Sequence, residues 1–220
     1  MAVELTTNLS IWLQLFSFVA IGGLSIPVAP RDEILKELIK VEIGVQAVEL
    51  GFYATFLKRL SVSDINGMAK ARYYDWILTT PTMLFTTMIY LSYEKYPERT
   101  LTIQTVWQEN QQHIKRVLAS NVMMMLVGYL GETGQMEKKR SVLLGFVFLL
   151  FTFLYMNEVF ASNQQSQQVI NAMFFLWTLY GVAAMLTEEQ KNIMYNFLDL
   201  FAKNFFGLYL FLKVRNLRLR

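Results

Sequence analysis

Seven separate stretches of this chain are apolar over about 20 residues, the length that crosses a hydrocarbon core, and no other feature constrains the fold as strongly. They lie near 8–29, 36–59, 73–93, 114–131, 142–160, 167–187 and 191–212, the fourth having the shortest purely apolar run. The runs are continuous and lack the alternation of outer-membrane strands, so they read as helices. Seven spans with their connections consume the 220 residues. The expectation is an all-α membrane protein, a single seven-helix domain over residues 1–220 with no attached soluble domain. Composition agrees. The chain is 54% hydrophobic and only 17% charged, against about 45–50% and 25% for soluble domains. With no Cys and one His there is no disulfide framework and no basis for a metal site, and a net charge of +3 gives no reason to invoke nucleic acid. Nothing in the sequence reads as an enzyme. The lipid bilayer is the expected partner, and self-association into a homo-oligomer is compatible with the sequence.

The start of the chain carries Glu4 and no basic residue ahead of its apolar run, unlike a secretory signal. The first stretch is therefore read as a true span. Placing the C-terminus inside gives the cytoplasm eleven Lys and Arg, including the tail Lys213, Arg215, Arg218 and Arg220, and leaves eight outside, Lys191 among them. That bias favours N-out, C-in. The polar connector from Tyr96 to His113 is expected to be a solvated loop without chemistry.

Ionisable residues inside spans cost several kcal/mol, so they face the bundle interior and are functional candidates. Asp199 and Lys203 stand at i and i+4 in the seventh stretch, on one helix face. Lys203 is too deep to reach an interface, which leaves it a salt bridge or use as an amine nucleophile toward a carbonyl compound. The third stretch opens with Arg72, Asp75, Trp76, Thr79 and Thr80, and Pro81 removes a backbone donor mid-span, where a bend is expected. Arg72, Asp75, Asp199 and Lys203 give two charges of each sign, a set that can be neutral overall. Trp177 and Tyr180 share a face of the sixth stretch and, with Trp76, Tyr53 and Phe175, could wall an apolar cavity.

These motifs, Arg72-x-x-Asp75-Trp76-x-x-Thr79-Thr80-Pro81, Trp177-x-x-Tyr180 and Asp199-x-x-x-Lys203, resemble those of the microbial rhodopsins, and overall character is closest to the viral branch. The resemblance implies that Lys203 binds all-trans retinal as a protonated Schiff base, with Asp75 and Asp199 as counterions and Arg72 organising the outer half. It implies that Trp76, Trp177 and Tyr180 sandwich the polyene, that Thr79 hydrogen-bonds near Asp75, and that Thr80 pairs with Asn121. Met124 and Gly128 would lie near the ionone ring. Gly181 and Ala184 depart from the residues common in pumps, and the fifth stretch offers no residue to align.

Efficient outward pumps of the family carry a carboxylate donor where this chain has Thr86, which counts against that function. The second stretch instead places Glu42, Gln46, Glu49 and Tyr53 on one helical stripe about 16 Å long. Oxygen ligands in such a line suit a cation path, and glutamates at matching places are a feature of channelrhodopsins. Ser10, Gln14, Ser17, Asn196 and Asn204 could line the same path. The expectation is a light-gated channel for monovalent cations or protons, the alternative being a weak light-driven outward proton pump with Glu189 near its release side.

Overall fold

The computed structural model describes residues 2–22, 30–61 and 65–218. Seven helices follow one another: α1 (Ala2–Gly22), α2 (Glu33–Ser61, entered through a 3-10 turn at Pro30–Asp32), α3 (Ile65–Lys95), α4 (Ile103–Glu132), α5 (Lys138–Phe160), α6 (Gln164–Ala183) and α7 (Glu188–Arg218). There is no strand among the described residues. Each expected span falls within one helix, with two exceptions: the end of the first, beyond Gly22, lies outside the described residues, and the sixth, expected to run to 187, stops at Ala183, where α6 gives way to a turn before α7.

Local chemistry sets the boundaries. Thr102 caps α4 by accepting from the Thr105 amide at 3.1 Å, and Asn163 caps α6 by accepting from the Ser166 amide at 2.8 Å. At the end of α4, Gly134 takes φ +75°, and the Gln135 and Gly134 amides donate back to the Leu130 and Gly131 carbonyls. That left-handed cap needs a residue without a Cβ, which is why a glycine stands there.

Consecutive helices pack side by side, α1 also closes onto α7, and α3 and α2 each reach α7 across the interior. The distribution of polarity is that of a bundle in lipid. Gln14, Glu42, Gln46, Glu49, Arg72, Asp75, Asp199 and Lys203 are buried, whereas Trp12, Phe16, Leu143, Leu154, Phe175 and Phe201 are exposed. Water would reverse that arrangement. Among the described helices α5 is long and apolar enough to cross a bilayer on composition alone; the other six reveal themselves by turning their polar groups inward.

Four expectations need correction. The connector before the fourth span is mostly helix: α4 begins at Ile103 and is kinked at Asn110 (φ −119°, ψ 15°). His113 is therefore not a solvated loop residue, since its Nδ1 lies 2.8 Å from the Tyr155 hydroxyl of α5. Phe175 faces outward at 63% exposure and cannot wall an internal cavity. Lys191, counted among the outer loop charges, is buried between Glu132 at 2.6 Å and Glu188 at 2.7 Å, while Glu189 beside it is exposed. Helix α3 continues through Pro81 as one element.

Candidate functional site

The site assembles where α2, α3 and α7 meet mid-bundle. Helical spacing places Arg72, Asp75, Trp76 and Thr79 on the inward side of α3, and Asn196, Asp199 and Lys203 on the inward side of α7. The Lys203 ammonium lies against the Asp75 carboxylate, 3.5 Å from Glu49 and 3.9 Å from Asp199. Three carboxylates thus surround one amine, where the sequence pointed to two, and all four groups are buried.

The carboxylates have unequal support. Asp199 is held from every side: Arg72 donates at 2.6 Å, Tyr53 at 3.1 Å, the Trp76 indole at 3.1 Å and Tyr180 at 2.9 Å. Its negative charge is satisfied by Arg72 and by three neutral donors, which is what a buried carboxylate needs. Arg72 also donates to Asn196 and lies over the Phe56 ring at 4.7 Å. Asn196 in turn donates to Thr6 at 2.8 Å and Thr7 at 3.0 Å, tying α7 to α1. Asp75 has far less: one oxygen meets Lys203, and the other has no hydrogen-bond partner among the described residues. Thr79 donates to the main-chain carbonyl of Asp75 at 3.0 Å, not to its carboxylate.

On the other side of Lys203 runs an apolar cleft lined by α3, α4, α5, α6 and α7. Trp76, Trp177 and Tyr180 are in its wall, as are Met124 and Gly128 of α4 and Gly181 and Ala184 of α6. Trp76 meets Tyr180 edge to face at 5.2 Å, and Phe153 of α5 braces Trp177 in the same way at 5.4 Å. Thr80 donates to Asn121 at 3.0 Å, joining α3 to α4 beside the cleft. Tyr53 is not part of this wall; it lies with Arg72 and Asp199 behind the amine. A buried primary amine at the end of a long apolar cleft, backed by carboxylates, fits an apolar polyene aldehyde such as retinal.

The stripe on α2 faces inward throughout, with Glu42, Gln46, Glu49 and Tyr53 all buried. Glu49 accepts from Gln14 of α1 at 3.1 Å, and Glu42 accepts from the Thr86 hydroxyl of α3. Ser10 accepts from Gln14 at 2.8 Å; Ser17 and Asn204 are only half-buried.

Sequence reading missed two groups. From α5, Ser141, Val142, Gly145, Phe146 and Leu149 line the cleft. That helix is apolar on all sides, so its pattern carries no signal for the inward face. Lys191 with Glu132 and Glu188 was also missed; the Glu188–Lys191 spacing of i, i+3 was the available hint.

A family model described as bacteriorhodopsin-like protein matches residues 5–217. No curated protein matches the chain by sequence. Among solved structures, the crystal structure of the viral rhodopsin OLPVRII superposes with a TM-score of 0.86 at 26% identity, covering 98% of this chain and 99% of that one. The blue light-absorbing proteorhodopsin from Med12 follows at 0.76 and 19%, covering 98% of each chain. The light-driven proton pump LR (Mac) from Leptosphaeria maculans gives 0.71 and 17%, covering 98% and 96%.

Proposed function

This chain belongs to the bacteriorhodopsin-like family, multi-pass membrane proteins that bind retinal, and we propose that here light opens a path for monovalent cations. All-trans retinal, linked to Lys203 as a protonated Schiff base, supplies light absorption and a change of shape and charge position. Asp75 is then the responsive counterion, because the amine is its one side-chain hydrogen-bond partner among the described residues, whereas Asp199 is fixed by Arg72, Tyr53, Trp76 and Tyr180. Trp76, Trp177 and Tyr180 confine the chromophore, Met124 and Gly128 meet its far end, Thr80 and Asn121 join α3 to α4 beside it, and Thr79 bonds back to the Asp75 main chain.

The observation that carries the channel reading is the unpaired chemistry of the α2 stripe. Glu42 Oε2, both polar atoms of the Gln46 side chain and Glu49 Oε2 are buried with no hydrogen-bond partner among the described residues. Each such atom costs roughly 1–3 kcal/mol unless water or an ion joins it. Strung between Thr86 and Lys203, they form a line of oxygens that can replace parts of a hydration shell. With the C-terminus inside, that line leads from Lys203 toward the cytoplasm, and Arg72 and Asn196 continue it outward.

Whole-cell recording with retinal supplied tests this. Photocurrents should reverse sign with the imposed cation gradient, and Glu49→Gln should change conductance or selectivity while the pigment still forms. Current of one sign at every voltage overturns the channel.

A second reading, a weak outward proton pump, draws support from the Thr86–Glu42 hydrogen bond. It sets a carboxylate beside the α3 position where efficient pumps carry their own. Light-driven acidification of the medium that an uncoupler abolishes, with no reversing current, selects this reading.

A further inference from the structure

Beyond the α2 stripe, toward the end of the bundle where α3 and α7 finish and α6 begins, five side chains form a continuous clasp. Lys213 of α7 pairs with Glu94 of α3 at 2.6 Å and donates to the Tyr90 hydroxyl at 3.0 Å. Tyr90 and Tyr209 share a hydrogen bond of 2.6 Å, and Gln165 of α6 donates to Tyr209 at 2.7 Å. The chain of bonds therefore ties three helices, the Lys213 ammonium and the Tyr90–Tyr209 pair joining α7 to α3, and Gln165 joining α6 to α7. The Lys213–Glu94 pair is largely shielded, with side-chain exposures of 19% and 12%, so it is screened less than a surface pair.

The clasp lies on the same line as the proposed path. Thr86, which holds Glu42, is followed on α3 by Tyr90 and Glu94 at i+4 and i+8, one helical stripe. On α7, Lys203 is followed inward by Phe206, Tyr209 and Lys213. Phe206 is fully buried and meets Tyr90 edge to face at 5.8 Å and stacks near Tyr209 at 6.5 Å. Between the amine and this end of the bundle there is thus an aromatic plug, capped by a charge pair.

We propose that Lys213, Glu94, Tyr90 and Tyr209 form the closed gate of the path, and that light opens it by parting Lys213 from Glu94 and Tyr209 from Gln165. A hydrated cation cannot cross the Tyr90–Phe206–Tyr209 plug, and the Lys213 ammonium repels it at the cap. Once the pair parts, Lys213 swings toward solvent, Glu94 is left as an anionic ligand at the mouth, and α6 loses its Gln165–Tyr209 bond to α7. The proposal rests on the channel reading for its consequence, though not for the motion itself.

The chain has no Cys, so spin labels can be placed without background. Labels at Tyr96→Cys and Gln164→Cys, both exposed positions flanking the clasp, report the α3–α6 separation in the retinal-loaded protein by electron–electron double resonance. In the parent the separation should widen in light and recover in the dark. Glu94→Gln and, separately, Tyr209→Phe should slow that recovery about tenfold, the order expected on losing a charge-assisted hydrogen bond. The pigment spectrum, a check on folding, should stay as it is. The exchanged pair Glu94→Lys with Lys213→Glu should restore most of the rate. Unchanged distances and recovery in variants that form pigment overturn the gate, even where the parent passes reversing current. One-sign current with intact widening instead overturns the channel and leaves the clasp as the moving part.

Discussion

Asp75 touches the Lys203 ammonium through one carboxylate oxygen, and its other oxygen has no hydrogen-bond partner among the described residues. Asp199, four residues before that lysine, has four donors of its own. The two carboxylates should therefore answer differently to the same substitution. Asp75→Asn removes a charge whose one hydrogen-bond partner among the described residues is Lys203, so the protein should fold and bind retinal, with visible absorption moved to longer wavelength because the anion no longer holds positive charge at the nitrogen. Asp199→Asn strips the partner from the buried Arg72 guanidinium, at a cost of about 3–5 kcal/mol. Pigment yield and thermal bleaching of the two variants should separate them, Asp199→Asn being the unstable one.

Gly181 is expected to be intolerant of even a methyl group. A Cβ there would stand 2.6 Å from the Phe146 ring, so the α5 side of the cleft has already taken the space beside it. Gly181→Ala should cost about 1–3 kcal/mol through overpacking and lower pigment yield. Adding Phe146→Leu should recover much of both, which thermal bleaching of the single and double variants would show. Gly44, exposed on α2 and with nothing near its missing Cβ, should accept alanine with little change.

The helices and the inward charges were legible because lipid leaves few options: apolar runs must span, and ionisable groups within them must turn inward and find one another. The motif spacings on α3 and α7 accordingly meet around Lys203. What stayed hidden was relative helix position. Periodicity puts Glu49 on an inward stripe, yet only the packing of α2 against α7 brings it within 3.5 Å of the amine. In α5 every face is apolar, so which residues line the cleft is decided by its neighbours. Lys191 misled because position near a helix start looks like a loop, whereas Glu132 reaches it from 59 residues away.

Outside the membrane, the Tyr96–Thr102 connection should loosen in acid. Arg99 grips Glu109 through two hydrogen bonds, at 2.5 and 3.0 Å. Those bonds hold the Glu109 carboxyl below its usual range. A depressed carboxyl supports the folded connection above its ordinary titration range and loses that support as pH falls through the lowered value. Arg99 stays charged throughout, so Glu109 alone sets the window. Hydrogen-exchange protection across residues 96–105, taken relative to the intrinsic amide rate at each pH, should fall on acidification and with added salt, since both groups are exposed. In Glu109→Gln that protection should already be low and should vary little over the same acid range.

Glu42 and Thr86 offer the sharpest separation of the path from the chromophore. The Thr86 hydroxyl donates to one Glu42 oxygen, and the other has no partner among the described residues. Thr86→Val deletes that donor and leaves a buried carboxylate with no hydrogen bond from the described residues. Glu42→Gln keeps an oxygen for the hydroxyl but removes the charge. If the pair acts as a unit, the double variant should be less damaged than the sum of the singles. A hydrogen bond to a charged group contributes about 1.5–3 kcal/mol, so a coupling of that order is expected in thermal unfolding. Neither residue lines the cleft beside Lys203, so the absorption maximum should hold in all three. Photocurrent should not: Glu42→Gln should weaken the preference for cations, and Thr86→Val should alter it less, because the carboxylate is still there. Equal currents in all three variants would remove Glu42 from the path and leave Glu49 to carry it alone.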